Sequence, residues 1–404
     1  MSYGSYFEDT YSLPGSVDIY DYYQANRDTF KTSESNGKVF IKSAGNSFRS
    51  GLNCLDYVSN PSLSEALSCG GTEFDLRHQF SEIIVVASVN ADGIKSSYST
   101  PGSAIWVSGL GGEYGLDERY TESYPNQLGP AIMTTDTSGC SSGYSGSQGN
   151  SYNGFNGVDW SFQQALNPNC NYTSNFNGTS AAAPTVSGVV ALMKEVNPSL
   201  TSRDIKHILA ATSQQIDLNA YVANPSSGIQ IDYAWQENAA GYKYHNYYGF
   251  GLVDAKAAIE AASSHQLLGE KLEKIGLFGN FSNPVLLENM STLTYSHTEE
   301  ALGLVEYVKI DMHIDAFMNE LNDRSLINTI GIKVISPSGT EHLIMQPFTN
   351  IQGQPDYWWT IGVAGFYGEQ LQGDWLVKVF DVADDSFAPI YWEGIGLRFQ
   401  YREE

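Results

Sequence analysis

The sequence predicts two successive folds: an α/β region over residues 1–265, then an all-β sandwich or barrel over residues 266–404. Three observations carry this. Short apolar runs at strand length, such as Glu82-Ile83-Ile84-Val85-Val86-Ala87-Ser88-Val89, give way to a run of helical period in which Val186, Val189, Val190, Met193 and Val196 recur on one face. Composition then shifts around residues 263–280. From Val305 onward the pattern is short alternating strands separated by Gly/Pro turns. A chain of 404 residues with 42% hydrophobic and 13% aromatic content can bury two sizeable cores and is not a disordered polymer.

Charge narrows the functional classes. The net charge of −24 argues against nucleic acid and anionic membrane surfaces as partners. No apolar run is long enough to span a bilayer as a helix. Cys54 and Cys69 bracket one short polar loop, and Cys140 and Cys170 bracket a Gly/Ser/Asn-rich one. Pairing in this way would close loops with little core of their own and implies an oxidising compartment. Four cysteines allow three pairings, so the spacing leaves connectivity open.

In chain order, residues 1–35 carry a weak helical pattern through Val17, Tyr20, Tyr23 and Phe30. Lys38-Val39-Phe40-Ile41 reads as a buried strand ending in Ser43-Ala44-Gly45-Asn46, where asparagine serves as a turn former or as an amide donor. Ser97 to Val107 gives a loop and a further strand, and residues 138–158 read as an irregular surface insertion. Asn177-Gly178-Thr179-Ser180-Ala181-Ala182-Ala183-Pro184 opens the long helix, with Pro184 expected in its first turn and Asn197-Pro198 as its stop. Ser180 therefore sits at a helix mouth, where free N–H groups and the dipole favour negative charge, as acyl transfer to a hydroxyl requires. Thr201-Ser202-Arg203-Asp204 has the capping-box pattern of a second helix, with Ile205, Ile208 and Leu209 facing the core. A third helix runs through Ala257, Ala258, Ile259 and Ala262.

The string around Ser180 resembles the nucleophile motif of the subtilisin-like serine proteases, and Ser180 matches the catalytic serine. Trp235 to Gly241 and Tyr247-Tyr248-Gly249-Phe250-Gly251-Leu252-Val253-Asp254-Ala255 resemble the end of a kexin/furin-type catalytic domain. Ser336-Pro337-Ser338-Gly339-Thr340, Phe366-Tyr367-Gly368-Glu369 and Gly373-Asp374-Trp375 resemble the P domain of the proprotein convertases. The resemblance implies a parallel-sheet catalytic domain followed by a jelly-roll-like P domain, and a serine endopeptidase acting on protein or peptide substrates. It gives Asn46 the role of oxyanion donor. It sets Glu8 and Asp9 near a pocket for cationic side chains, so that cleavage after Lys or Arg is an expectation. Leu52 and Thr100 stand where the family has calcium-binding carboxylates, so the calcium site beneath that pocket is not expected to form, although structural calcium elsewhere stays open. The chemistry itself requires no cofactor.

A serine needs a neighbouring base oriented by a carboxylate. In this family both partners precede the asparagine and the serine, the histidine in a His-Gly-Thr context. The seven histidines, His78, His207, His245, His265, His297, His313 and His342, all follow Asn46 and lack that context. Met1-Ser2-Tyr3-Gly4 itself resembles the family's substrate-edge strand. The expectation is a protease whose first part lies upstream, secreted or periplasmic through a signal peptide there, and close to inactive as this chain alone. Its partners would then include the missing N-terminal half, or a chaperone or propeptide. The rival is a non-catalytic scaffold or binding protein that keeps the subtilase surface.

Overall fold

The computed structural model describes residues 11–12, 28–32, 34, 37–48, 67–115, 129–141, 143–145, 167–220, 234–278, 285–288, 290–316, 329–348, 351–352, 357–382 and 390–403. Its first layer is a parallel sheet of β1 (Phe40–Ser43), β2 (Ile83–Val89) and β3 (Ile105–Leu110), in that order. Every residue of β2 is buried, as the continuous apolar run of a central parallel strand demands. β1 starts two residues later than expected and is half-buried rather than buried, whereas β3, the other outer strand among the described residues, is buried along most of its length.

Helix α1 (Thr179–Val196) packs across all three strands. Ala182, Ala183, Val186, Val190 and Met193 form its buried stripe against Ile84, Val86 and Val107. Pro184 lies inside this helix, past its first turn, and lacks the N–H that would reach back to the Ser180 carbonyl. α2 (Ser202–Thr212) begins with the full capping box: Thr201 accepts from the Asp204 N–H, and the Asp204 carboxylate accepts from the Thr201 N–H. Ile205, Ile208 and Leu209 are buried. α3 (Ala255–Ser264) is capped by Asp254, whose side chain accepts from the Ala257 N–H at 3.0 Å.

Outside this layer, β4 (Ile132–Thr135) and β5 (Tyr172–Phe176) form an antiparallel ribbon leading to α1. The Cys140–Cys170 disulfide ties the loop between them. Cys69 is buried and also disulfide-bonded, whereas Cys54 lies outside the described residues. Of the insertion expected over 138–158, residues 138–141 and 143–145 are described, and the rest lies outside.

The C-terminal region is a sandwich of two antiparallel sheets. One joins β7 (Val285–Leu287), β14 (Ile390–Arg402), β9 (Leu304–Ala316) and β12 (Tyr357–Val363), with β6 (Leu272–Phe278) also on β14. The other orders β8 (Thr292–Glu299), β13 (Gly373–Asp381), β10 (Ile330–Ile335) and β11 (Glu341–Met345). Trp359, Trp375 and Trp392 are fully buried among Val, Ile and Leu from both sheets.

The two regions are cemented together. Tyr307, Ala364 and Tyr367 of the sandwich belong to the same apolar cluster as Trp106, Phe250 and the helix stripes. Backbone groups are paired across the join: the Ala364 N–H donates to the Ser103 carbonyl at 2.8 Å, and the Ser103 hydroxyl donates to the Gly362 carbonyl at 2.8 Å. Asn238, in the loop that begins at Trp235, donates from Nδ2 to the carbonyls of Gly365 and Tyr367, both at 2.9 Å. Arg203 grips Glu306 through Nε at 2.7 Å and Nη2 at 2.5 Å, a two-pronged ion pair.

Candidate active site

The site is built where β1 ends and α1 begins. Ser180 is the second residue of α1 and half-buried; Asn46 lies in the turn after β1 and is exposed. The structure brings them together through the residue between Gly178 and Ser180. The Thr179 N–H donates to Asn46 Oδ1 at 2.9 Å, and the Thr179 hydroxyl donates to the same oxygen at 2.8 Å. Thr179 Oγ1 in turn accepts from the Gly45 N–H at 3.1 Å. Because a backbone N–H is only a donor, the atom facing it must be the amide oxygen, which assigns the other Asn46 atom as Nδ2.

That NH₂ lies near the backbone of the serine. A Cβ placed on Gly178 would lie 3.2 Å from Asn46 Nδ2 and 3.6 Å from the Ser180 nitrogen. Both nitrogens are therefore close to one point beside Gly178. Glycine is favoured there twice: its φ of 101° is a conformation L side chains rarely adopt, and any Cβ would crowd Asn46 Nδ2. The Gly178 N–H is itself fixed, donating to the Tyr98 hydroxyl at 2.7 Å. Tyr98 is buried and donates to the carbonyls of Gly111 (2.9 Å) and Gly112 (2.7 Å). Burial pushes its pKa up, so it remains a neutral phenol. Below the turn, Thr100 Oγ1 accepts from the Ser47 N–H at 2.8 Å, and the Thr100 N–H donates to the Gly45 carbonyl at 3.0 Å.

Sequence reasoning named Ser180 and Asn46 as site residues and Thr100 only as standing in place of a carboxylate; it gave no role to Thr179 or Tyr98. Thr179 was within reach, since it lies in the motif. Tyr98 was not, because it meets Gly178 only across 80 residues of chain. Glu8, Asp9 and Leu52 lie outside the described residues. Thr100 offers one neutral oxygen, already accepting an N–H, and so fits poorly as a calcium ligand. Among the described residues, no group of three or more His, Cys, Asp or Glu could hold a metal ion.

Six histidine side chains have partners in other parts of the fold. His78 Nδ1 is 3.0 Å from the Thr72 carbonyl and Nε2 is 3.1 Å from the Ser43 carbonyl. His207 meets the Tyr367 hydroxyl at 2.9 Å, His265 meets Asp204 at 2.9 Å, and His297 meets Glu299 at 3.4 Å. His245 Nδ1 accepts from the Tyr247 N–H at 2.9 Å, and His342 packs edge-on to Tyr244 and Phe366. Burial pushes His245 down to about 3 and His342 to about 4, so both are neutral at physiological pH.

Residues 1–251 match the subtilase family model. The chain belongs to the subtilase family. Residues 323–392 match the proprotein convertase P-domain, so this subtilase carries the convertase type of sandwich. It is 31% identical over 383 residues to an extracellular serine protease of Aeromonas sobria, covering 88% of this chain and 57% of that protein. It is 29% identical over 405 residues to a microbial serine proteinase of Aeromonas salmonicida, covering 92% of this chain and 60% of that one. Human proprotein convertase subtilisin/kexin type 7 matches at 27% over 239 residues, 57% of this chain and 27% of that protein. The chain thus spans somewhat over half the length of the two Aeromonas relatives. The crystal structure of the Aeromonas sobria serine protease superposes with a TM-score of 0.80 at 25% identity, covering 99% of this chain and 70% of that one. That protease has also been solved in complex with a chaperone, and this structure superposes with a TM-score of 0.79 at 24% identity.

Proposed function

We propose that this chain carries the nucleophile and oxyanion hole of a secreted serine endopeptidase, with Ser180 as the acylated residue. The observation that supports it is the direction of the Asn46 amide. Its oxygen is committed to Thr179, which leaves Nδ2 and the Ser180 nitrogen both close to one point beside Gly178, where they could converge on one oxygen. Ser180 Oγ would attack the scissile carbonyl carbon, and the pair of donors would stabilise the resulting oxyanion. The C–N bond would then break, the amine leaving with the proton taken from Ser180, and water would hydrolyse the ester.

The base that takes this proton would be supplied by a histidine other than the six with partners elsewhere, on a segment or partner carrying the family's aspartate and His-Gly-Thr motif. Without that base, turnover should fall about 10⁶-fold. We place the division between catalytic region and P domain at 265/266. The Cys140–Cys170 disulfide supports an oxidising, extracellular destination, as does the name of the Aeromonas sobria relative. A chaperone is the partner the solved complex suggests. A preference for Lys or Arg before the scissile bond would rest on Glu8 and Asp9.

The test is reaction with a fluorophosphonate, read by mass spectrometry, against Ser180→Ala. Slow labelling by the chain alone, accelerated by the Asp/His-bearing segment and absent in the variant, supports the reading. No labelling of the folded protein even with that segment present means a non-catalytic subtilase scaffold.

A further inference from the structure

A second oxygen-rich site lies at the join between the two regions, away from Ser180. A cavity of about 10 Å³, room for one atom-sized occupant, is lined by Glu73, Asn246 and Gln346 together with Gly71, Gly102 and Tyr247. Glu73 is 4% exposed, and its carboxylate fills the space that a Cβ on Gly71 would take. No other charged side chain among the described residues lines the cavity. The Thr72 hydroxyl, 1% exposed, fills the corresponding space at Gly102 and has no hydrogen-bond partner among the described residues.

Two side-chain amides line the same void. Asn246 Nδ2 donates to the Leu343 carbonyl at 2.9 Å, and Gln346 Nε2 donates to the Ser68 carbonyl at 2.7 Å. Each keeps its amide oxygen and one further N–H. The Glu73 carboxylate is thus a buried charge at an atom-sized void with no cationic side chain lining it, and a hard cation bound there would answer that charge.

We propose that this cavity binds a single hard cation of sodium or calcium size, held by Glu73 with the amide oxygens of Asn246 and Gln346. The ion would join the catalytic region to the sandwich. Glu73 and Asn246 belong to the first and Gln346 to the second, and the Glu73 carbonyl already accepts from Trp359 Nε1 at 3.0 Å. Burial pushes the Glu73 carboxyl up, so a proton competes with the ion and binding weakens as pH falls.

The experiment follows thermal unfolding of the full chain at pH 9 and pH 6 while NaCl, KCl or CaCl₂ replaces choline chloride at constant ionic strength. The wild type should gain melting temperature saturably at pH 9, less at pH 6, and Glu73→Gln should lose that gain. Saturation by calcium alone assigns a divalent ion, and saturation by sodium a monovalent one; either supports the site. Terbium luminescence sensitised by Tyr247 should likewise be weaker in Glu73→Gln. Should that variant fail to fold, Gln346→Leu keeps the carboxylate and should shift the midpoint to higher ion concentration. Identical cation dependence in wild type and variants, with Glu73→Gln as stable as the wild type, would overturn the proposal and leave a proton as the occupant.

Discussion

The two regions are built from opposite materials. The sandwich interior is filled by Trp359, Trp375 and Trp392 with Phe366 and Phe399, all within 1% of full burial. Around Ser180 the α/β region offers Gly178, Ala181, Ala182 and Ala183, residues that contribute little apolar area. The difference follows from what each must do. On the proposed acylation of Ser180, a reacting carbonyl and its oxyanion would have to approach the backbone, which only small residues allow, so such a site could not stabilise itself by burying large side chains. Its rigidity comes from hydrogen bonds such as Tyr98 to Gly178 and Asn46 to Thr179, and from the sandwich clamped against its far side.

This division of labour can be broken from either end. Trp375→Ala should cost about 3–5 kcal/mol of stability, and because the core is shared, calorimetry should show both regions melting in one transition. Two separate transitions would refute the shared-core account. Asn46→Leu should do the reverse, lowering acylation of Ser180 by about 10²–10³ while moving the melting temperature by only a few degrees. Thr201→Ala, which removes one half of the α2 capping box, should cost about 1 kcal/mol in chemical denaturation and leave acylation untouched.

The smallest effect at neutral pH concerns Lys206, buried over the faces of Trp106 (3.8 Å) and Tyr307 (4.8 Å) at the join. Burial pushes its ammonium down to about 7, opposed by Glu82, Glu34 and Glu306. The unfolded chain keeps that proton up to about 10.4. Between these values the unfolded state binds more protons, so this lysine makes stability rise with pH. Denaturation curves of Lys206→Met should lack that rise; the same slope in both proteins would show that the lysine is not desolvated at the join.

What the sequence made legible was local. The helix at Ser180, the capping box at Thr201 and the strand alternation after Val305 depend on neighbours within a few residues, and each formed. Pro184 was set one turn too early, because helix start signals locate an end only to within a few residues. β1 reads as buried because its composition is apolar, but how far a strand is buried depends on what covers it in the fold, which its own composition does not encode: β1 is half-buried and β3, also an outer strand among the described residues, is buried. Within the site, Ser180 and Asn46 were readable, whereas Tyr98 was not: nothing in a tyrosine flanked by serines says which amide its hydroxyl will meet. The cavity at Glu73 needed residues up to 276 positions apart (Gly70 to Gln346) to be seen together.

The cluster holding Trp106 beside Tyr307 and Tyr367 has a consequence for how such chains can recombine. A grafted sandwich lacking those two tyrosines and Glu306 would leave Trp106 without its partners across the join and the Arg203 guanidinium unanswered. Separate as they look in sequence, the regions are exchangeable only when the seam travels with the graft.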